Sequence, residues 1–148
     1  MGIIFVCILL ITGIFVGEFR IKNRIEQKEN GPRDTKLIII RKYHNRGAVL
    51  NWGQNHPHLV AAVSVIFCLI AFICFLFSLG QKGNHLLRVG LSLLLGGAFS
   101  NTYDRLKRKY VVDYFSFNVK WKPLRRIVFN LSDFCIMAGA LLAAIAAP

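Results

Sequence analysis

Residues 59–79 read LVAAVSVIFCLIAFICFLFSL, twenty-one positions without a charged side chain. At about 1.5 Å of rise per residue the run makes a helix of roughly 30 Å, the thickness of the hydrocarbon layer of a bilayer. Pro57, just upstream, suits a first helical turn, where its missing N–H is no loss. A helix that is apolar all round needs either a large core or lipid, and a chain of 148 residues and 16.7 kDa has room for one modest domain. The stretch therefore reads as a transmembrane helix and sets the class, an all-α integral membrane protein.

Three further apolar blocks lie on either side of it. Residues 1–17 carry no charge until Glu18. A cleaved signal peptide is the rival reading, but no Lys or Arg precedes the run and no A-x-A-like site follows it. Residues 86–103 contain Arg88 near one end, from where a guanidinium extends to the interface, and residues 131–147 are interrupted only by Ser132 and Asp133. The expectation is a single integral membrane domain over residues 1–148, a four-helix bundle with helices at about 1–17, 59–79, 86–103 and 131–147.

Nineteen Lys and Arg against seven Asp and Glu give a net charge of +12. In a soluble protein that balance points to nucleic acid, but a 55% hydrophobic composition and a mean hydropathy of +0.49 place the basic residues beside anionic lipid headgroups instead. Membrane lipid is the expected partner and nucleic acid is not. Nine basic residues fall in 18–58, two in 80–88 and eight in 104–126, so four spans put both strongly basic loops on one side. The positive-inside tendency alone would make that side cytoplasmic.

The four cysteines, Cys7, Cys68, Cys74 and Cys135, all fall inside apolar blocks and read as small buried hydrophobes rather than a disulfide or CxxC site. His56-x-His58 lacks neighbouring Cys or carboxylate ligands, so no metal site is expected. Residues 23–36 read as a polar surface loop holding Gly31-Pro32. Residues 37–40 are aliphatic and lead to a turn at His44–Gly47, and residues 111–119 alternate, so small β elements are expected in both large loops. With period 2, Asp113 shares a strand face with Val111, Phe115, Phe117 and Val119.

Three of the seven carboxylates, Asp104, Asp113 and Asp133, stand at the membrane-proximal ends of the last two long helices, where burying a charge costs about 2.5–3.5 kcal/mol at mid-helix and less at the interface. Asp104 has an ion-pair or anchoring reading with Arg105 beside it and Asn101 one turn earlier. Asp133, after Asn130 and Ser132, has a helix-capping reading. Asp113 finds no partner on its own strand face; a salt bridge to the basic stretch 105–109 is one outcome and convergence with Asp133 the other. Two carboxylates a few ångströms apart at a low-dielectric interface share a proton, so one takes a proton from water while the other donates to a carbonyl. A separation of twenty residues leaves both outcomes open.

The order of these residues resembles a known family. Gly96-Gly97-Ala98-Phe99-Ser100-Asn101-Thr102-Tyr103-Asp104-Arg105, then Val111-Val112-Asp113-Tyr114-Phe115, then Phe129-Asn130-Leu131-Ser132-Asp133 resemble the three motifs of signal peptidase II, G-G-A-x-x-N-x-x-D-R, V-V-D-[FY] and F-N-x-A-D. Upstream, Asn45-Arg46-Gly47-Ala48 is similar to the family's N-x-G-A, and Glu18-x-x-x-Lys22 stands where the family has D-Q-x-x-K. The resemblance implies a four-helix membrane aspartyl endopeptidase, free of metal and organic cofactors, that cleaves prolipoproteins before the diacylglyceryl-modified cysteine of the lipobox. It implies Asp113 and Asp133 as the catalytic pair. Asn45, Asn101, Arg105 and Asn130 would hold substrate backbone or position the pair, with Asp104 orienting Arg105. It further implies a bacterial cytoplasmic membrane location, termini inside, the site near the outer face, and a cyclic peptide inhibitor such as globomycin as a ligand. Gly96-Gly97 would allow close helix approach. Departures are Glu18 for Asp, Phe19 for Gln, Val49-Leu50 for small and aromatic residues, Ser132 for Ala, and a short, very polar loop between Lys22 and Asn45. Two rivals remain, a catalytically silent relative that binds lipoprotein precursors and a non-enzymatic membrane subunit whose basic loops bind anionic lipid.

Overall fold

The computed structural model describes residues 2–27, 33–48, 53–81 and 83–147. The expectations attached to Met1, Gly31-Pro32, Val49-Leu50 and Lys82 lie outside those residues. In chain order the elements are α1 (Gly2–Gln27), β1 (Arg33–Asp34), β2 (Ile38–Asn45), α2 (Pro57–Gly80), α3 (His85–Lys107), β3 (Val111–Phe117), α4 (Lys122–Arg126) and α5 (Leu131–Ala146).

The chain is mostly helical. Helices α1 and α2 are long and apolar enough to cross a membrane, and α5 is apolar but shorter, at 16 residues. Helix α3 is the hub, packed against α1, α2 and α5. Cys7, Ala71, Phe75, Leu87, Leu91 and Leu95 form the core among α1, α2 and α3. The outer flanks of α1 and α2 leave Phe5, Ile8, Phe67, Ile70 and Phe77 exposed. A continuous apolar surface of that kind needs lipid rather than water around it.

Each boundary has a local cause. Asn84 caps α3 by accepting from the Leu87 amide at 3.1 Å, and α5 opens on a reciprocal capping box between Asn130 and Asp133. The first helix runs to Gln27, ten residues past the expected end at 17. Glu18 and Lys22 are therefore helical, spaced i,i+4 on one face, and both are buried, so the charges that ended the apolar block do not end the helix. Residues 23–27, expected as loop, form its last turn. Arg88 does not extend to the interface either. Its guanidinium is buried and donates to the carbonyls of Ser78, at 3.1 Å, and Gln81, satisfying the open C-terminal end of α2.

The two basic loops combine into one antiparallel sheet of order β1-β2-β3. In its register Asn45 lies opposite Val111 and Tyr43 opposite Asp113, with a shift between Ile40 and Tyr43. Phe129 bridges to Phe115 on the far side of β3, which ties the approach to α5 onto the sheet. Glycines set how closely α5 approaches α3. A Cβ on Gly97 would stand 2.5 Å from the Ser132 carbonyl oxygen, and one on Gly90 would stand 2.8 Å from the Ala143 nitrogen. That contact brings the first turn of α5 against the polar end of α3.

Candidate active site

At that junction three asparagines hold two aspartates. Asn130 Nδ2 donates to Asp113 Oδ1 at 2.6 Å and Asn45 Nδ2 to Asp113 Oδ2 at 3.0 Å, while Asn101 Nδ2 donates to Asp133 Oδ1 at 2.9 Å. The orientation of each amide is forced, because each Oδ1 is already occupied: by the Gly47 amide for Asn45, by Lys22 Nζ for Asn101 and by the Asp133 amide for Asn130. Only the NH₂ ends are free to face the carboxylates. Asn130 touches both aspartates, since its backbone N–H also donates to Asp133 Oδ2 at 3.0 Å. The structure thus brings Asp113 and Asp133 together around one residue.

Both alternatives for Asp133 hold at once. It completes the helix cap and it faces Asp113. For Asp113 the salt bridge to residues 105–109 does not form; its hydrogen-bond partners are neutral amides. It is 2% exposed. Burial, and then the neighbouring Asp133 charge, push its carboxyl up to about 7, against the pull of the Asn45 and Asn130 amides and of Lys22. A carboxylic acid with that value exchanges its proton near neutral pH.

The ion-pair and anchoring reading of Asp104 holds, with partners other than Arg105. Asp104 pairs with Lys22 at 3.0 Å and with Arg108 at 3.1 Å and accepts from the Val112 amide; its ion pairs are with those two cations rather than with Arg105. Arg105 instead donates to the Asn101 carbonyl at 3.4 Å and the Gly47 carbonyl at 3.2 Å. Its buried Nε has no hydrogen-bond partner among the described residues. A buried guanidinium N–H without a partner, beside two carboxylates, is a donor left unsatisfied at the site.

Four residues around the site were not singled out for it by their sequence. Lys22 donates to Ser100 Oγ and Asn101 Oδ1, both at 2.9 Å. Glu18 accepts from Tyr114 Oη at 2.6 Å, from Ser132 Oγ at 2.8 Å and from the Ser132 amide at 3.2 Å. Tyr114 lies outside the helices, and burial with the Glu18 carboxylate beside it raises its phenol. The signal that could have found Glu18 and Lys22 was their i,i+4 spacing at the end of an apolar run; nothing in the spacing of Tyr114 and Ser132 announces their common partner. Among the described residues no group of three or more His, Cys, Asp or Glu could hold a metal ion. An open apolar groove between α2 and α3, lined by residues such as Cys68, Phe72, Phe99 and Thr102, lies apart from the aspartates.

Fold and site together define a class, helical membrane proteins with a pair of buried carboxylates held by asparagine amides. The comparisons narrow it. The family model for signal peptidase (SPase) II matches residues 3–147. A lipoprotein signal peptidase of Clostridium acetobutylicum is 38% identical over 127 residues, covering 83% of this chain and 78% of that protein. One from Clostridioides difficile is 28% identical over 139 residues, covering 93% and 88%. Two solved bacterial membrane enzymes, determined by the in meso method, share the fold with TM-scores of 0.79 and 0.77 at 22% and 23% identity, covering 95% of this chain and 86% and 91% of theirs. The chain belongs to the signal peptidase II family and is a peptidase.

Proposed function

We propose that this chain removes signal peptides from prolipoproteins with Asp113 and Asp133 as its catalytic pair, cutting before the diacylglyceryl-modified cysteine. The observation that carries the reading is the Asn130 bridge, which holds both carboxylates around one side chain while Asp113 stays protonatable near neutrality. With one proton between them, the ionised member takes a proton from a water molecule as its oxygen attacks the scissile carbonyl carbon. The protonated member gives its hydrogen to the carbonyl oxygen. The gem-diol intermediate then collapses: one of its hydroxyls returns a proton to the ionised carboxylate, the protonated carboxyl gives its proton to the departing amine nitrogen as the C–N bond breaks, and the pair is left with its single shared proton. The pair titrates as a unit, so no fixed identity attaches to acid and base. The free Nε of Arg105 supports a role in receiving substrate carbonyl oxygen.

The lipid anchor suits this position. Acyl chains held in the bilayer deliver the cleavage point to the interface, so binding energy remote from the reacting bond serves orientation. A four-span bundle follows if α3 and α5 cross beside α1 and α2, with both termini cytoplasmic and the sheet at the outer face of the bacterial membrane. A C-terminal tag protected from external protease supports that orientation; a digested tag reverses it. On the same reading a cyclic peptide such as globomycin competes with substrate for the aspartate site.

The test is purified protein with a diacylglyceryl-modified precursor peptide. Asp113→Asn keeps the size and the hydrogen-bonding edge but removes the acid, and cleavage falls by about 10⁴-fold or more with the protein still folded. Turnover by that variant at the wild-type rate overturns the assignment of Asp113, and a wild-type chain with no turnover to lose favours the precursor-binding or lipid-binding readings.

A further inference from the structure

Glu18 is fully buried and stands outside the aspartate pair, yet its two oxygens reach the sequence neighbours of both members. Oε1 accepts from the hydroxyl of Tyr114, the residue after Asp113, at 2.6 Å. Oε2 accepts from the amide and the hydroxyl of Ser132, the residue before Asp133, at 3.2 and 2.8 Å. The Tyr114 hydroxyl also accepts from the Leu131 amide at 3.0 Å, so strand β3 and the first turn of α5 are cross-tied at two points around one carboxylate. Lys22, one turn further along α1, lies 3.5 Å from Glu18 Oε2 and supplies the local counter-charge.

We infer that Glu18, through Tyr114 and Ser132, is the positioning residue that sets the distance between Asp113 and Asp133. The inference rests on the aspartate-pair reading and assigns α1 a part in it. A carboxylate is the group suited to this place, because it accepts from several donors at once and donates to none. A glutamine of the same length keeps one accepting oxygen and turns an NH₂ toward a hydroxyl or an amide, which opens one side of the clamp. The Glu18 and Ser132 departures from the family motifs meet here: the longer acid reaches a hydroxyl that alanine lacks. They read as one matched change.

The charged and titratable groups facing the pair are Lys22 from α1, Arg105 from α3 and Tyr114 from β3, with Asp104 behind Lys22 and Arg105 and Arg108 behind Asp104. Letting the two carboxylates drift apart weakens their mutual repulsion, so the shared proton is lost at lower pH.

The experiment compares wild type, Glu18→Gln, Ser132→Ala and Tyr114→Phe as full chains, with the lipidated precursor peptide, reading kcat, KM, the pH profile and thermal stability. In Glu18→Gln kcat falls about tenfold or more per folded molecule, KM moves little, and the alkaline limb moves to lower pH. Ser132→Ala and Tyr114→Phe each remove one hydroxyl and move kcat and the limb in the same direction by less, and Glu18→Gln combined with Ser132→Ala falls short of the product of the two. If Glu18→Gln does not fold, the two hydroxyl deletions carry the same readouts. Lower thermal stability with kcat and both pH limbs unmoved overturns the inference and leaves Glu18 a packing group. Retained cleavage by Asp113→Asn overturns the pair itself, a separate result.

Discussion

Two buried polar clusters sit side by side at the end of α3 and handle charge in opposite ways. In one, Glu18, Lys22, Asp104 and Arg108 neutralise each other directly, with Lys22 in contact with both acids at 3.5 and 3.0 Å. In the other, Asp113 and Asp133 receive neutral amide N–H groups from Asn45, Asn101 and Asn130. At Asp113 burial and the neighbouring Asp133 charge outweigh the pull of the amides and of Lys22 and raise the carboxyl to about 7, which suits proton transfer. The difference teaches where structure ends and chemistry begins, and Asn101 is the joint, accepting from Lys22 on one side and donating to Asp133 on the other.

The largest expected effect on stability comes from breaking the ion-paired cluster. Asp104→Asn leaves Lys22 and Arg108 without their shared partner, and loss of a buried pair of this kind costs about 3–5 kcal/mol. Thermal unfolding in a fixed lipid or detergent should show a large drop; an unchanged midpoint would mean that the cluster contributes no net stability.

Acid and base titration sharpens the comparison from the other side. With Asp113 raised to about 7, the shared proton is present below that pH and lost above it, so cleavage should decline as pH rises beyond about 7, by about tenfold per unit once the limb is reached. Stability carries the same sign. Between the ordinary carboxylate range and about pH 7 the folded chain keeps a proton that the unfolded chain has released, so raising pH through that window weakens the fold, and above it this contribution is constant. A pH profile flat from 5 to 9 would remove the distinction between the clusters.

The smallest effect belongs to a third group, nearer the solvent. Glu26 meets His44 at 2.8 Å and Lys42 at 4.0 Å, with those two side chains 40% and 38% exposed. Glu26→Gln should change stability by less than about 1 kcal/mol, because water screens the pair. A change of several kcal/mol in calorimetry would place it with the buried cluster instead.

Much of this was legible before any coordinates. The charge-free run at 59–79 located α2 nearly to its ends, and the asparagine at 130 followed by an acid three residues later announced a capped helix. The length of α1 was not legible in the same way, because Glu18 and Lys22 look like the solvated end of an apolar block until Tyr114, Ser132 and Asp104 are known to face them. The same holds for the three-stranded sheet. Strand β1 is two residues long and pairs with β2, while β2 pairs with a strand some seventy residues later, and no local period encodes that partnership. For the site, residue types and motif order singled out Asp113 and Asp133, but their meeting is made by Asn130 and by the approach of α5 to α3, neither of which the twenty-residue interval encodes.

The glycine contacts on α3 and α5 carry a mechanical consequence. With backbone nearly touching backbone at Gly90, Gly97 and Gly139, the two helices have no side-chain cushion on which to slide or rotate. Any widening that admits a peptide therefore falls to the outer strands: β3 is tied to the start of α5, whereas β1, among the described residues, is two residues long and pairs with β2. The helical half behaves as an anvil, and the sheet is the part that gives.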